Sequence, residues 1–289
     1  MSNDLNPNLA PQIERYLELS DEERIDFILK DKWVDYPVAK KVLTKMEDIF
    51  NAPKSIRTRG MLLYGDSNNG KTAILKKFYR QYGESEAIDE DGDLVHTMPI
   101  VFVIASPSSD ESRMFTEILS SMNVPINHNE KITKKVEELV YYLGLMKTKL
   151  IIIDEIHNVL HGPHNKMAQL MTSLKTLNIK TSIPIILAGT QDAMSAVSVD
   201  NQTKSRFKPH ELPLWQNNET FLRFTATIEA MLPLKKASNI YNNYELLSYV
   251  HTLSGGCIGE AINVMKDAAI YAIRDGSEKI TIKILKESQ

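Results

Sequence analysis

The chain is short of several things, and each shortage narrows its class. It has a single cysteine, Cys257, so no internal disulfide can form. Its N-terminus shows no charged-then-apolar leader, and a reduced, cytoplasmic setting is the expectation. No window approaches the roughly eighteen uninterrupted apolar residues of a bilayer span, so no membrane partner is expected. Positive charge is not in excess either. The 34 Lys and Arg against 37 Asp and Glu leave a formal net charge of −3, which excludes a uniformly basic nucleic-acid coat and leaves room only for a local basic strip. What remains is ordinary for a globular protein: 43% hydrophobic and 25% charged residues over 289 positions. That length suits one domain of about 150–200 residues plus a smaller unit.

The most informative stretch runs from Met61 to Phe78. Met61-Leu62-Leu63-Tyr64 reads as a short buried strand. Gly65-Asp66-Ser67-Asn68-Asn69-Gly70-Lys71-Thr72 matches G-x-x-x-x-G-K-[ST], and Ala73 to Phe78 open an amphipathic helix. Strand, loop and helix in that order are the context of a phosphate-binding loop for ATP. Gly65 and Gly70 let the backbone curl so that successive N–H groups point inward. The helix N-terminus adds its dipole, Lys71 reaches the β- and γ-phosphates, and the Thr72 hydroxyl can ligate Mg²⁺.

Two further strand ends carry polar groups. Leu150-Ile151-Ile152-Ile153-Asp154-Glu155 reads as a buried strand ending in two carboxylates. Asp154 is placed for the Mg²⁺ shell and Glu155 to polarise an attacking water, the alternative for Asp154 being a helix cap. Pro184 to Thr190 is another continuous apolar strand. In a parallel sheet with its ligand at the carboxyl edge, Thr190 and Gln191 face the γ-phosphate; alternatively, Thr190 caps the helix at Asp192-Ala193-Met194.

Around these motifs the chain reads as α/β, then helical. Residues 1–12 are a polar, loose or partner-ordered arm, and Ser20-Asp21-Glu22-Glu23 is a capping box opening a short helix. Trp33-Val34-Asp35-Tyr36-Pro37 is an aromatic turn before a helix carrying Val42, Met46 and Phe50. Trp33 and Tyr36 either touch adenine or pack the N-terminal helices together. Gly83 to Asp93 reads as a polar loop, Pro99 to Ile104 as a buried strand, and His210 to Trp215 as a fifth strand or edge segment. From Asn217 the pattern is wholly helical, with Ile280 to Leu285 a closing strand or helix turn. The expected division is an N-terminal arm and helices over 1–52, a core over 53–216, and a helical lid and tail over 217–289. His157, His161 and His164 invite a zinc reading, but Asn158 stands where H-E-x-x-H has its Glu, which favours a polar connector. Asp154-Glu155-Ile156-His157 also matches a DExH box, with too little chain after it for a second motor domain. Arg113, Lys131, Lys134 and Lys135 form either a DNA-contacting strip or a solvated helix face.

Phosphate loop, acidic strand end, polar end of the next strand, Arg206-Phe207 and a helical lid, in that order, resemble an AAA+ ATPase. The AAA+ P-loop NTPase core implied has a parallel sheet followed by a small helical lid. Within that class the chain is similar to transposition regulators of the TniB/TnsC type, related to MuB. Trp33-Val34-Asp35-Tyr36-Pro37 resembles their W-x-x-Y-P, Ser67-Asn68-Asn69-Gly70-Lys71 their S-N-N-G-K, and Arg206-Phe207 with Leu212-Pro213-Leu214-Trp215 their R-F…L-P-x-W. The resemblance implies that Lys71 and Thr72 bind ATP and Mg²⁺, that Asp154 and Glu155 are Walker B, that Thr190 is sensor one, and that Arg206 is an arginine finger. A finger implies a homo-oligomer, ring or helical filament. The implied activity is ATP-dependent assembly on double-stranded DNA, recruiting a transposase and a TniQ-like target-selection protein. A replication initiator or loader-type remodeller and a non-turnover nucleotide-switched scaffold remain alternatives. One departure stands out: where many AAA+ lids carry a sensor-two arginine, this chain has Gly255-Gly256-Cys257-Ile258-Gly259-Glu260, which implies slow hydrolysis or weak lid coupling or, alternatively, glycines that let a lid pivot.

Overall fold

The computed structural model describes residues 6–55, 58–88, 92, 94–107, 110–161, 164–198 and 201–289. In chain order the elements are α1 (Asp21–Leu29), α2 (Pro37–Phe50), β1 (Gly60–Tyr64), α3 (Lys71–Tyr82), β2 (Ser85–Ile88), β3 (Leu94–Thr97), β4 (Ile100–Ile104), α4 (Glu111–Ser121) and α5 (Ile132–Leu145). There follow β5 (Leu150–Asp154), α6 (His164–Thr181), β6 (Ile185–Gly189), α7 (Ala193–Val197), α8 (Asn201–Arg206), β7 (Phe207–Glu211), α9 (Glu219–Ala230), α10 (Tyr244–Ser254), α11 (Ile258–Arg274) and α12 (Ile282–Glu287). The chain divides into two compact units. One comprises 37–67 and 71–212; the other comprises 1–36, 68–70 and 213–289. These boundaries differ from the expected three-part division, because the first 36 residues group with the C-terminal helices rather than with α2.

The first unit is built on a five-stranded parallel sheet in the order β4-β5-β6-β1-β7. Leu62, Ile152 and Ile186 are fully buried, as the continuous apolar runs require when helices cover both faces. Helix α3 packs on β4 and β6, α4 on β4, and α7 on β1. Chain order makes β1 the switch point: the path leaves β1 for the far edge at β4, returns through β5 and β6, and then crosses to β7. The crevice at the carboxyl end of β1 is where such sheets bind ligands.

Two expectations need correction here. The segment read as a polar loop instead includes β2, which forms an antiparallel hairpin with β3 just beyond it, in the register Ser85↔Thr97 to Ile88↔Leu94. Its residues 89–91 and 93 lie outside the described residues. The fifth strand is Phe207–Glu211, not His210–Trp215. It pairs with β1 alone, from Gly60↔Phe207 to Tyr64↔Glu211, and an edge position tolerates Pro209.

The second unit centres on α11, against which α1, α9, α10 and α12 pack. The expected capping box is present at α1: the Ser20 hydroxyl accepts from Glu23 N (3.3 Å), and the Glu23 carboxylate accepts from Ser20 N (3.0 Å). The arm is not loose from Asn6 onward. Asn6 is buried and donates through Nδ2 to Leu234 O (3.1 Å), and Pro11–Glu18 form a 3-10 helix. Residues 1–5 lie outside the described residues. Arg24, fully buried, donates to both Glu278 carboxylate oxygens, at 2.9 and 2.7 Å. The C-terminal stretch resolves as a helix, α12.

Candidate functional site

The sheet unit supplies a set of groups at the carboxyl edge of β1, β5 and β6. Lys71 opens α3, only 4% exposed, and its ammonium donates to the carbonyls of Gly65 (2.9 Å) and Asp66 (2.6 Å) across the base of the loop. The next residue, Thr72, donates its hydroxyl to Asp154 Oδ2 at 2.6 Å, a charge-assisted bond. The other carboxylate oxygen, Oδ1, accepts from Glu155 N (2.9 Å), and Asp154 is 1% exposed. Among the described residues no Lys, Arg or His pairs with this buried carboxylate. Its partners are an amide N–H and a hydroxyl, and the carboxylate and hydroxyl oxygens so placed are ligands that suit a hard divalent cation. The cap alternative for Asp154 is not what the structure shows.

Beyond Asp154 the backbone turns sharply: Glu155 sits at φ 58°, a left-handed conformation rare for a residue with a Cβ. Its carboxylate lies 3.2 Å from His157 Nε2. Thr190, just past β6, has its hydroxyl buried without a hydrogen-bond partner among the described residues. It does not cap α7, whose N-cap is Asp192. Lys71, Thr72, Asp154, Glu155 and Thr190 are thus gathered on one edge. Arg206 is not. It ends α8 and immediately precedes Phe207, which pairs with Gly60 at the amino end of β1, so it stands at the opposite edge, about 15 Å of strand away. There its Nη1 donates to Asn178 Oδ1 at 2.7 Å.

Of the two loop glycines, only Gly70 needs its conformational freedom, with φ at 86°; Gly65 needs the space, since a Cβ there would stand 2.5 Å from Leu212 O. Asp66 and Ser67 complete the exposed first half of the loop.

The tip of the loop, Asn68–Gly70, clusters with the helical unit. Asn68 O accepts from Gly259 N (3.0 Å), and its Nδ2 donates to Glu260 Oε1 (2.7 Å). Asn69, 1% exposed, donates to Pro213 O (3.1 Å) and accepts from Ile258 N (3.4 Å). The first turn of α11, where a sensor-two arginine would stand, therefore holds the loop tip, and Gly259 is packed against Asn68 rather than free to pivot. Nothing in the loop pattern signalled that Asn68 and Asn69 had these partners. Tyr36 packs edge-on to Trp215 and Phe224, at centroid distances of 5.2 and 5.9 Å. Its hydroxyl is buried with no hydrogen-bond partner among the described residues, and burial pushes the phenol pKa well up. Trp33, half-buried, lies 6.3 Å from the Tyr36 ring and donates through Nε1 to Asp35. Both aromatics pack within the helical unit.

Of the candidate basic strip, Arg113, Lys131 and Lys134 are exposed and Lys135 is not. Lys135 is 2% exposed, its ammonium saturated by Ser112 Oγ, Thr116 Oγ1 and His128 O. Lys134 is paired with Glu130, and Arg113 lies 3.4 Å from Glu117. No group of three or more metal-ligating side chains occurs among the described residues, though the side chains of His161 and His164 lie outside them. No helix among the described residues is long and apolar enough to cross a membrane.

A parallel sheet in this order, with a phosphate loop after β1, paired carboxylates after β5 and a helical unit completing the chain, defines a P-loop protein of the AAA+ class. Solved structures share the fold. The ORC2 protein of Aeropyrum pernix, solved in ADPNP-ADP complexes, has a TM-score of 0.62 at 16% identity, over 91% of this chain and 70% of that one. Cdc6p from Pyrobaculum aerophilum has a TM-score of 0.64 at 15% identity, over 91% and 70%. The RuvB Holliday junction branch migration motor of Thermotoga maritima has a TM-score of 0.53 at 12% identity, over 91% and 72%. No curated protein matches the chain. The family model for the bacterial TniB protein matches residues 24–217, and the chain belongs to that family.

Proposed function

We propose that the protein is a Mg²⁺-dependent ATPase that regulates DNA transposition, assembling on double-stranded DNA when ATP-bound and recruiting a transposase and a TniQ-like target-selection protein. The observation that carries the nucleotide chemistry is the Thr72–Asp154 bond beside Glu155, at the edge where the phosphate loop leaves β1. In this reading the loop from Gly65 to Thr72 cradles the phosphates, with Lys71 transferring its ammonium from the Gly65 and Asp66 carbonyls to the β- and γ-phosphate oxygens. Thr72 and Asp154 hold Mg²⁺, which neutralises charge developing on the phosphates. Glu155 accepts a proton from the attacking water, and the Thr190 hydroxyl donates to the γ-phosphate.

Arg206 serves a neighbouring subunit, consistent with its position at the opposite edge of its own sheet, and a ring or helical filament follows. DNA contact falls to a surface repeated by that assembly, since a chain of net charge −3 binds phosphates weakly alone and gains through effective concentration. Family membership supports the transposition role. The test is a DNA titration across nucleotide states and salt. Binding that requires ATP, is cooperative, ignores sequence and weakens steeply with salt is expected. Equal affinity with ADP, or none with ATP at low salt, would overturn it.

A further inference from the structure

The sequence offers His157 two uses, in a zinc pattern and in a DExH box. Its surroundings give it another. The ring has two partners on two different strand ends. Thr190 N donates to Nδ1 at 3.4 Å, and Nε2 lies 3.2 Å from Glu155 Oε2. A ring nitrogen that accepts from an amide carries no proton in that tautomer, so the proton of the neutral imidazole is on Nε2, where the carboxylate can accept it. Both contacts are therefore satisfied at once by a single neutral form.

The backbone is built to hold the ring there. After the left-handed Glu155, the chain winds into a 3-10 turn, Ile156–His161, whose Ile156 and Val159 are buried one turn apart. Asn158 closes that turn through its amide hydrogen bond to Glu155 O (2.9 Å) and ties it to the end of β4 by donating through Nδ2 to Ala105 O (2.9 Å). On the β6 side, a Cβ on Gly189 would lie 3.3 Å from His157 N and 2.9 Å from the Ala193 Cβ, so glycine there admits the turn against the strand end.

We infer that His157 is a positioning residue for hydrolysis: anchored on the Thr190 amide, its imidazole fixes one oxygen of the Glu155 carboxylate and leaves the other to take the proton of water. The inference rests on Glu155 being the general base, as proposed above. The same ring joins the two strand ends that face the γ-phosphate in that reading, so a shift at Thr190 is passed to Glu155 through one side chain.

The experiment measures steady-state turnover and fluorescent-nucleotide affinity for the full chain and for His157→Ala, His157→Gln, Glu155→Gln and the double variant His157→Ala/Glu155→Gln. His157→Ala should lower kcat by ~10–100-fold, the usual effect of removing a group that orients a ligand or base, with nucleotide affinity unchanged. His157→Gln keeps one acceptor and one donor on a planar amide, and should recover part of the loss. The double variant should be no slower than Glu155→Gln, because an orienting group has nothing left to orient. Unchanged kcat in His157→Ala, a loss confined to affinity, or a further loss on top of Glu155→Gln would each overturn the inference. Should His157→Ala not fold, the inference stands or falls with His157→Gln, which must keep measurable turnover and unchanged affinity. Full turnover in Glu155→Gln instead defeats the underlying assignment of the base, a result distinct from the others.

Discussion

Replacing Gly259 by alanine tests the role of α11 most sharply, because two effects of opposite sign compete. Alanine is the better helix former by about 1 kcal/mol, so an unconstrained helical glycine gains stability from the change. At Gly259, however, the new Cβ would stand 2.2 Å from Asn68 O and 2.3 Å from Asn68 Oδ1. Ordinary contact needs roughly 1.2 Å more. Forcing that separation costs about 1–3 kcal/mol in overpacking. It also stretches the Gly259 N to Asn68 O and Asn68 Nδ2 to Glu260 Oε1 bonds, at about 1 kcal/mol each. The sum favours destabilisation by about 2–4 kcal/mol, read as a lower urea midpoint at unchanged slope. Nucleotide affinity should fall by ~10-fold, since the displaced residues are the tip of the phosphate loop. Gly144 in α5 is the control: nothing lies within 4 Å of the place its Cβ would take, and Gly144→Ala should stabilise by about 0.5–1 kcal/mol. If Gly259→Ala behaves like Gly144→Ala and binds nucleotide normally, the loop tip does not depend on α11.

Lys71→Ala should abolish nucleotide binding, measured by fluorescent-analogue titration, because its buried ammonium is the one cation held over the loop base by Gly65 and Asp66 among the described residues. Arg206→Ala should leave binding intact and lower turnover by up to ~10³-fold, and mixing it with Glu155→Gln should restore some activity if the arginine acts on a neighbour. Tyr36→Phe removes a buried hydroxyl that has no partner among the described residues, so thermal stability should hold or rise; a simultaneous loss of nucleotide affinity would place that hydroxyl on the ligand. Burial alone would raise the Glu278 pKa, but hydrogen bonds from Arg24 and the Lys235 amide outweigh it and hold the carboxyl below its usual range. A depressed folded-state pKa adds stability above the unfolded carboxylate range and loses it as pH falls through the folded value. Glu278→Gln should therefore flatten the acid limb of a stability–pH curve.

The parts of this fold legible in the sequence are those whose chemistry is local. β1, β5 and β6 are uninterrupted apolar runs because both faces are covered, and the loop and carboxylates follow them directly. The β2–β3 hairpin was illegible for the opposite reason: Ser85 and Glu86 are exposed and Leu94 is 68% exposed, so no buried face imposes an alternating pattern. β7 reads Phe-Lys-Pro-His-Glu, an edge strand recognisable only through its neighbour β1. The two partners of His157 come from residues 155 and 190, and those of Asn68 from 259 and 260. Such meetings are set by how strands and helices pack, which no local spacing encodes.

The buried Arg24–Glu278 pair spans 254 positions. Chains emerge from the ribosome N-terminus first, and a continuous domain begins folding as its last residues appear. Residues 37–212, apart from 68–70, make up the sheet unit and are complete while the C-terminal helices are still unsynthesised. The first 36 residues have no such partner then: the Arg24 guanidinium and the Asn6 amide wait in solvent until Leu234 and then Glu278 arrive. Shortening the chain from its C-terminus should leave that N-terminal segment exposed to protease as well, although no residue of it has been removed.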